Sequence, residues 1–121
     1  MEKDRTANQI LIIDDEISIL NLLQYILSRN GYAVETAQNG EEGIRKIENN
    51  QYSLILTDMK MPGICGNQVL DFLRNRIKRS TPVIGMSGTP WLIDQQGFDA
   101  VINKPCSNKE ILELVRQFIE K

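Results

Sequence analysis

Short apolar runs recur along the chain and alternate with longer stretches whose apolar residues have helical spacing. The runs "QILIID" and "SLILTD" are continuous and rich in aliphatic residues, as in strands buried on both faces of a sheet. In the longer stretches, apolar residues recur every three or four positions, as on one face of a helix. The pattern predicts strands at 9–14, 32–37, 53–58, 82–87 and 100–104, and helices at 17–31, 39–50, 66–77 and 107–121.

Boundary residues support several of these helices. Gly31 is placed to end the first helix, and Asn39 to cap the second. Ser107 and Glu110 have the spacing of a capping box at the start of the last helix. Glu16 is interpreted as an acid in the first turn of the first helix, where the helix dipole favours negative charge.

Strands that alternate with helices in this way predict an α/β fold with a parallel sheet covered on both faces. The resulting architecture has three layers and is doubly wound. A chain of 121 residues is long enough for one domain with one core, which we expect to span residues 1–121 with its core at about 8–120.

Composition and charge narrow the function classes. The net charge is −2, from 14 basic and 16 acidic residues, which gives no support to direct nucleic-acid binding. The apolar runs are too short to span a membrane and the N-terminus lacks a signal region, so a soluble cytoplasmic protein is predicted. The absence of histidine excludes catalysis by a histidine of this chain, and the two cysteines are interpreted as reduced.

Polar side chains follow the strands at the points where they end. Asp14 and Asp15 follow the first strand, Asp58 ends the third, Ser87 the fourth and Lys104 the fifth. Because parallel strands bring their carboxyl ends to one edge, where ligands bind in such sheets, we expect these side chains to converge.

These side chains suit phosphoryl chemistry. Clustered carboxylates need a cation to remain ionised, and an all-oxygen ligand set favours a hard cation such as Mg²⁺, or Mn²⁺. An ammonium and a hydroxyl are suitable donors to a phosphate. An aspartate can form an acyl phosphate when metal and lysine neutralise the incoming charge. The residues therefore predict phosphoryl transfer to a carboxylate.

Four short motifs, taken in order, resemble those of the response regulator receiver domain. They are "DDE" after the first strand, "TDMKMPG" after the third, "MSG" after the fourth and "NKPC" after the fifth. The resemblance covers nearly the whole chain. It implies a flavodoxin-like fold with strand order 2-1-3-4-5 and five helices. It also implies a phosphoacceptor that acts in a two-component system or phosphorelay.

The resemblance assigns roles residue by residue. Asp58 would take the phosphoryl group from a sensor histidine kinase or a histidine phosphotransfer protein, and would then control an output domain or a downstream protein. Asp15, Asp58 and the backbone carbonyl of Lys60 would ligate Mg²⁺ directly, and Asp14 through water. Ser87 would be the switch hydroxyl. Lys104 would bind the phosphoryl group, and its bond to Pro105 would be cis.

The sequence also departs from the family pattern. The interval between Ser87 and Lys104 is several residues shorter than usual, which predicts a shortened fourth helix. Val101 stands where the family often has an aromatic switch residue, and Cys106 replaces a common aromatic. Residues 87–99, with Trp91, are the segment expected to move. Whether the altered positions still relay a signal stays open.

Two other functions compete with this interpretation. A Mg²⁺-dependent phosphatase resembling the haloacid-dehalogenase class would need an Asp-x-Asp pattern after the first strand, whereas Asp14 and Asp15 are adjacent. A receiver-like interaction module that works without phosphorylation is compatible with Val101 and the short fourth helix. The chain is therefore expected to be a signalling domain rather than an enzyme. It would be either stand-alone or part of a larger regulator or hybrid kinase.

Overall fold

The computed structural model describes residues 9–88, 97–104 and 106–119. Five parallel strands form one sheet in the order β2-β1-β3-β4-β5, as predicted. The strands are β1 Gln9–Ile13, β2 Ala33–Ala37, β3 Leu54–Asp58, β4 Val83–Ser87 and β5 Ala100–Asn103. The helices are α1 Ile17–Arg29, α2 Gly40–Asn49, α3 Gly66–Asp71 and α4 Asn108–Ile119.

Helices cover both faces of the sheet, and alternate residues of each central strand pack against opposite layers. Ile10 and Ile12 of β1 lie in one core with Leu23 and Leu27 of α1 and with Ile111 of α4. The other core contains Leu11 and Ile13 of β1, Ile47 of α2 and Val69 of α3. This three-layer arrangement explains why β1 and β3 are apolar throughout rather than alternating.

The predicted helix boundaries rest on the expected contacts. The Asn39 side chain accepts a hydrogen bond from Glu42 N at 2.8 Å. Ser107 Oγ accepts from Glu110 N at 3.0 Å, while Ser107 N donates to Glu110 Oε1 at 2.9 Å, which confirms the capping box. Gly31 follows α1 with φ at +95°, a conformation that glycine adopts readily.

The third helix differs from its prediction. Instead of running as regular α-helix over 66–77, it changes after Asp71 into a π-helical turn, Phe72–Arg76. From this turn, Arg74 donates to Thr81 O at 2.8 Å and to Asp99 Oδ2 at 3.1 Å. Asp99 Oδ2 also accepts from Val83 N at 2.7 Å. The turn therefore fixes the start of β4 next to the residue that precedes β5.

Several predicted features fall on residues that the structure does not describe. Trp91 and most of the interval between β4 and β5, where the shortened fourth helix was predicted, fall in residues 89–96, and the Lys104–Pro105 bond includes undescribed Pro105. Both ends of the predicted domain are also outside the described residues. Within residues 9–88, 97–104 and 106–119, no helix is long and apolar enough to cross a membrane.

Candidate functional site

The carboxyl edge of the sheet gathers the predicted site residues. Asp14 directly follows β1, Asp58 ends β3, Ser87 ends β4 and Lys104 directly follows β5. Asp14 extends the pairing of β1 by one hydrogen bond, since its N–H donates to Ala37 O at 3.1 Å. Asp14, Asp58 and Ser87 are all buried, with 0%, 6% and 3% of their surface exposed.

The Lys104 ammonium joins three carboxylates. Its Nζ donates to Glu16 Oε1 at 2.8 Å, to Asp58 Oδ2 at 3.1 Å and to Asp14 Oδ2 at 3.2 Å. An ammonium has three N–H donors, so these contacts use its full capacity. Asp58 and Lys104, separated by 46 positions in sequence, are in direct contact as the strand order predicted.

Backbone contacts hold Asp58 in place at the end of β3. The N–H of the next residue, Met59, donates to Met86 O of β4 at 2.9 Å. The Thr57 hydroxyl donates to Asp58 O at 3.1 Å, and Lys60 N donates to Asp58 Oδ1 at 3.3 Å. These bonds fix the backbone on both sides of the carboxylate, so its position is set before any ligand arrives.

Burial and charge shift the protonation of this cluster. Burial, followed by the negative charge of Asp14, raises the pKa of Asp58 from 3.8 to about 6, although the Lys104 ammonium opposes the rise. Burial alone would lower the pKa of Lys104, but the hydrogen bond to Glu16 and the charges of Asp14 and Asp58 raise it above its ordinary value. Lys104 therefore stays protonated at neutral pH. Asp58 is mostly ionised there, although burial and the charge of Asp14 disfavour its ionised form.

This shift predicts a pH dependence of stability. Between pH 4 and 6 the folded state holds a proton on Asp58 that the unfolded state has released, so the contribution of Asp58 to stability falls as pH rises. In Mg²⁺-free buffer, Asp58→Asn should therefore become more stable relative to the wild type as pH rises from 4 to 7, by about 1–3 kcal/mol. Urea unfolding of both proteins across this range measures the difference, and a difference that does not change with pH would contradict it.

Glu16 is the site residue that sequence reasoning missed. The prediction that it lies in the first turn of α1 is wrong, because α1 begins at Ile17 and Glu16 is the residue before it. Its side chain contacts Lys104 instead, while its own N–H donates to Asp14 Oδ1 at 2.9 Å. The only signal in the sequence was its position beside Asp14 and Asp15.

The carboxylates fit a hard divalent cation. Asp14, Glu16 and Asp58 each place an oxygen within 4.8 Å of the other two. Three carboxylates and one ammonium leave two uncompensated negative charges, and the donors are all oxygen, which suits Mg²⁺. Asp15 is exposed and is not a member of this group, so its role as a direct ligand stays a prediction.

The positions to which the resemblance assigns the switch lie in β4 and β5. Ser87 accepts through its backbone oxygen from Lys104 N at 2.9 Å, which ties the end of β4 to the lysine. Val101 is partly buried in β5 and pairs with Gly85 of β4. Cys65 and Cys106 are both free thiols. One hydrogen bond thus joins the main chains of Ser87 and Lys104.

Gly66 lies too close to the backbone of Asp58 and Met59 to leave room for a side chain. A Cβ added at Gly66 would lie 2.8 Å from Asp58 O and 2.9 Å from Met59 Cα, and this backbone cannot move without disturbing the site. Gly66→Ala should destabilise the protein by about 1–3 kcal/mol, the usual cost of overpacking. Gly88→Ala is the control, because its Cβ would meet Lys104 O at an ordinary 3.8 Å. Equal unfolding midpoints in denaturant for the two variants would contradict the prediction.

Comparisons with known proteins agree with this geometry. Residues 10–116 match the family described as the response regulator receiver domain. The chain is 36% identical over 118 residues to the transcriptional regulatory protein ResD of Bacillus subtilis, covering 93% of this chain and 48% of ResD. It is 29% identical to the CAI-1 autoinducer sensor kinase/phosphatase CqsS of Vibrio cholerae, covering 98% of this chain and 18% of CqsS.

Solved structures show the same fold. The response regulator TrrA of Thermotoga maritima, solved in complex with Mg²⁺ and BeF, superposes with a TM-score of 0.83 at 31% identity, covering 92% of this chain and 98% of that one. A CheY-like receiver domain protein from Methanospirillum hungatei gives a TM-score of 0.84 at 31% identity, covering 93% and 94%.

The match extends over most of this chain but not over most of its relatives. The chain spans about half the length of ResD and of the regulator PhoP of Bacillus subtilis. Within that span, the family match, the strand order and the acidic cluster all agree. The chain belongs to the response regulator receiver domain family, whose members are phosphoacceptors in two-component signalling.

Proposed function

We propose that Asp58 is the phosphoacceptor of this receiver domain and that Lys104 and Ser87 bind the phosphoryl group. The observation that carries the proposal is the direct contact of Asp58 Oδ2 with Lys104 Nζ at 3.1 Å, in a buried cluster at the carboxyl edge of the sheet. We also propose that residues 1–121 form a single receiver domain, with its core at about 8–120.

The reaction transfers a phosphoryl group from a ring nitrogen of the donor histidine to a carboxylate oxygen of Asp58. A carboxylate oxygen of Asp58 forms a bond to phosphorus while the bond from phosphorus to the donor atom breaks, and the electron pair leaves with the donor. The donor is a phosphohistidine of a sensor histidine kinase or of a histidine phosphotransfer protein. This agrees with the absence of histidine from this chain.

The residues around Asp58 neutralise the charge of the incoming phosphoryl group and donate hydrogen bonds to it. The Lys104 ammonium neutralises a phosphoryl oxygen as a point charge. The Ser87 hydroxyl, at the end of the neighbouring strand, donates to another oxygen, and the backbone around Thr57 and Met59 keeps the carboxylate oriented. Hydrogen bonds hold the backbone around Asp58 before the reaction, so the carboxylate itself needs little reorganisation.

Mg²⁺, with Mn²⁺ as a substitute, would be held by Asp58, Asp15, the backbone carbonyl of Lys60 and, through water, Asp14. When bound, it supplies Lewis-acid neutralisation of the phosphoryl oxygens. Glu16 and Asp14 add negative potential at the same place.

The chain's catalysis is then limited to its own phosphorylation and dephosphorylation. It acts in the cytoplasm, without direct contact with nucleic acid or membrane. Its phosphorylated form controls an output domain or a downstream protein.

Incubation with acetyl phosphate, followed by intact-mass spectrometry, tests the proposal. One phosphoryl group should be added in the presence of Mg²⁺ or Mn²⁺ and none in the presence of a chelator. A mass that stays unchanged with Mg²⁺ at saturating donor would contradict the proposal and favour a receiver-like module that works without phosphorylation.

A further inference from the structure

The carboxylates around Lys104 use all the hydrogen-bond donors of its ammonium. All three N–H donors of its ammonium are directed at carboxylates, at 2.8, 3.1 and 3.2 Å. A phosphoryl group on Asp58 needs at least one of these donors. Because the phosphoryl group brings three further oxygens next to the ammonium, it competes with the carboxylates for these donors.

The three carboxylates differ in how readily each can give up its contact with the Lys104 ammonium. The Asp14 side chain is fully buried and the Asp58 side chain is 8% exposed, so neither can turn into water. The Glu16 side chain is 57% exposed, although it makes the shortest of the three contacts. An open depression of about 340 Å³, lined by Glu16, Ile19, Gly88 and Lys104, lies beside the ammonium. Only Glu16 has both exposure and space to move.

We propose that Glu16 is a positioning residue that holds Lys104 and competes with the phosphoryl group for its ammonium. The Glu16 carboxylate occupies the donor that the phosphoryl oxygen takes, and turns out into solvent when that oxygen arrives. Glu16 thereby sets the energetic threshold for occupying Asp58 and acts through Lys104. The inference rests on the proposed roles of Asp58 and Lys104.

Beryllofluoride, which stands in for the phosphoryl group on an aspartate, is the probe. Its affinity would be measured by calorimetry at saturating Mg²⁺, with Mg²⁺ affinity measured separately. Glu16→Gln should bind beryllofluoride about two- to fivefold more tightly, the range expected for loss of a partly exposed ion pair. Glu16→Asp should show a similar gain, because it keeps the charge but is one methylene too short to reach Lys104 Nζ.

Controls separate this contact from other effects. Glu113→Gln, which removes the same charge from an exposed position on α4, should bind beryllofluoride like the wild type. A gain with Glu16→Gln but none with Glu16→Asp would overturn the proposal, because charge alone would then explain the result. Weaker Mg²⁺ binding without any gain for beryllofluoride would also overturn it and would make Glu16 a metal ligand. A wild type that binds no beryllofluoride would instead contradict the assignment of Asp58.

Discussion

Replacing Asp58 by asparagine should reduce phosphoryl incorporation by at least about a hundredfold, the scale seen when an essential catalytic group is removed. An amide is a poor nucleophile and a weaker ligand for Mg²⁺ than a carboxylate, so the acyl phosphate cannot form in the same way. The fold should survive, because the substitution removes a carboxylate whose pKa is raised to about 6 by burial and by Asp14. Labelling with phosphoramidate and Mg²⁺ measures the loss.

Asp71→Asn provides the matched control for that experiment. It makes the same chemical change at an exposed position of α3, and its side chain contacts Asn75 rather than the site. It should incorporate phosphate at the rate of the wild type. Undiminished labelling of the Asp58→Asn protein would refute the assignment of the phosphoacceptor.

Replacing Lys104 by methionine should have the largest effect on stability. The substitution keeps an unbranched chain but leaves Asp14 and Asp58 buried without their cation. Breaking a buried ion pair from one side costs about 3–5 kcal/mol, an amount that protonation of Asp58 can partly relieve. At pH 7.5 without divalent cations, we therefore expect a loss of about 3 kcal/mol in the free energy of unfolding.

Mg²⁺ should restore part of that loss, because a ligand that binds only the folded state stabilises it by mass action. Urea unfolding with and without Mg²⁺ measures the recovery. Lys46→Met is the control, since Lys46 Nζ contacts Thr36 O and Glu42 away from the cluster. If Mg²⁺ stabilises the Lys104→Met protein no more than the wild type, Lys104 is not the cation that offsets these carboxylates.

The strands were accessible from the sequence because of a simple physical constraint, whereas their order was implied by the resemblance to receiver domains. A strand buried on both faces must be apolar throughout, so β1 and β3 stand out, and each is followed or ended by an acid that water or a cation must satisfy. The alternation with helices then brings Asp14, Asp58 and Lys104 to one edge. Their contacts in the structure follow from that topology.

Other features depend on tertiary contacts that carry no periodic signal. Glu16 could cap a helix or approach a lysine, and only the placement of Lys104, 88 positions away, decides between these. The π-helical turn at Phe72–Arg76 has the same apolar spacing as an α-helix at this length. Its partner Asp99 lies 25 positions beyond Arg74, so the pairing could not be predicted from neighbouring residues.

Locating the phosphoryl group within the wild-type chain tests the central claim most directly. Borohydride reduces an acyl phosphate of aspartate to homoserine, and peptide sequencing by mass spectrometry then identifies the modified position. After treatment with phosphoramidate and Mg²⁺, homoserine should be found at Asp58 and should be absent when the cation is chelated. Homoserine at Asp14 or Asp15 instead, or at no aspartate after full exposure to the donor, would contradict the account.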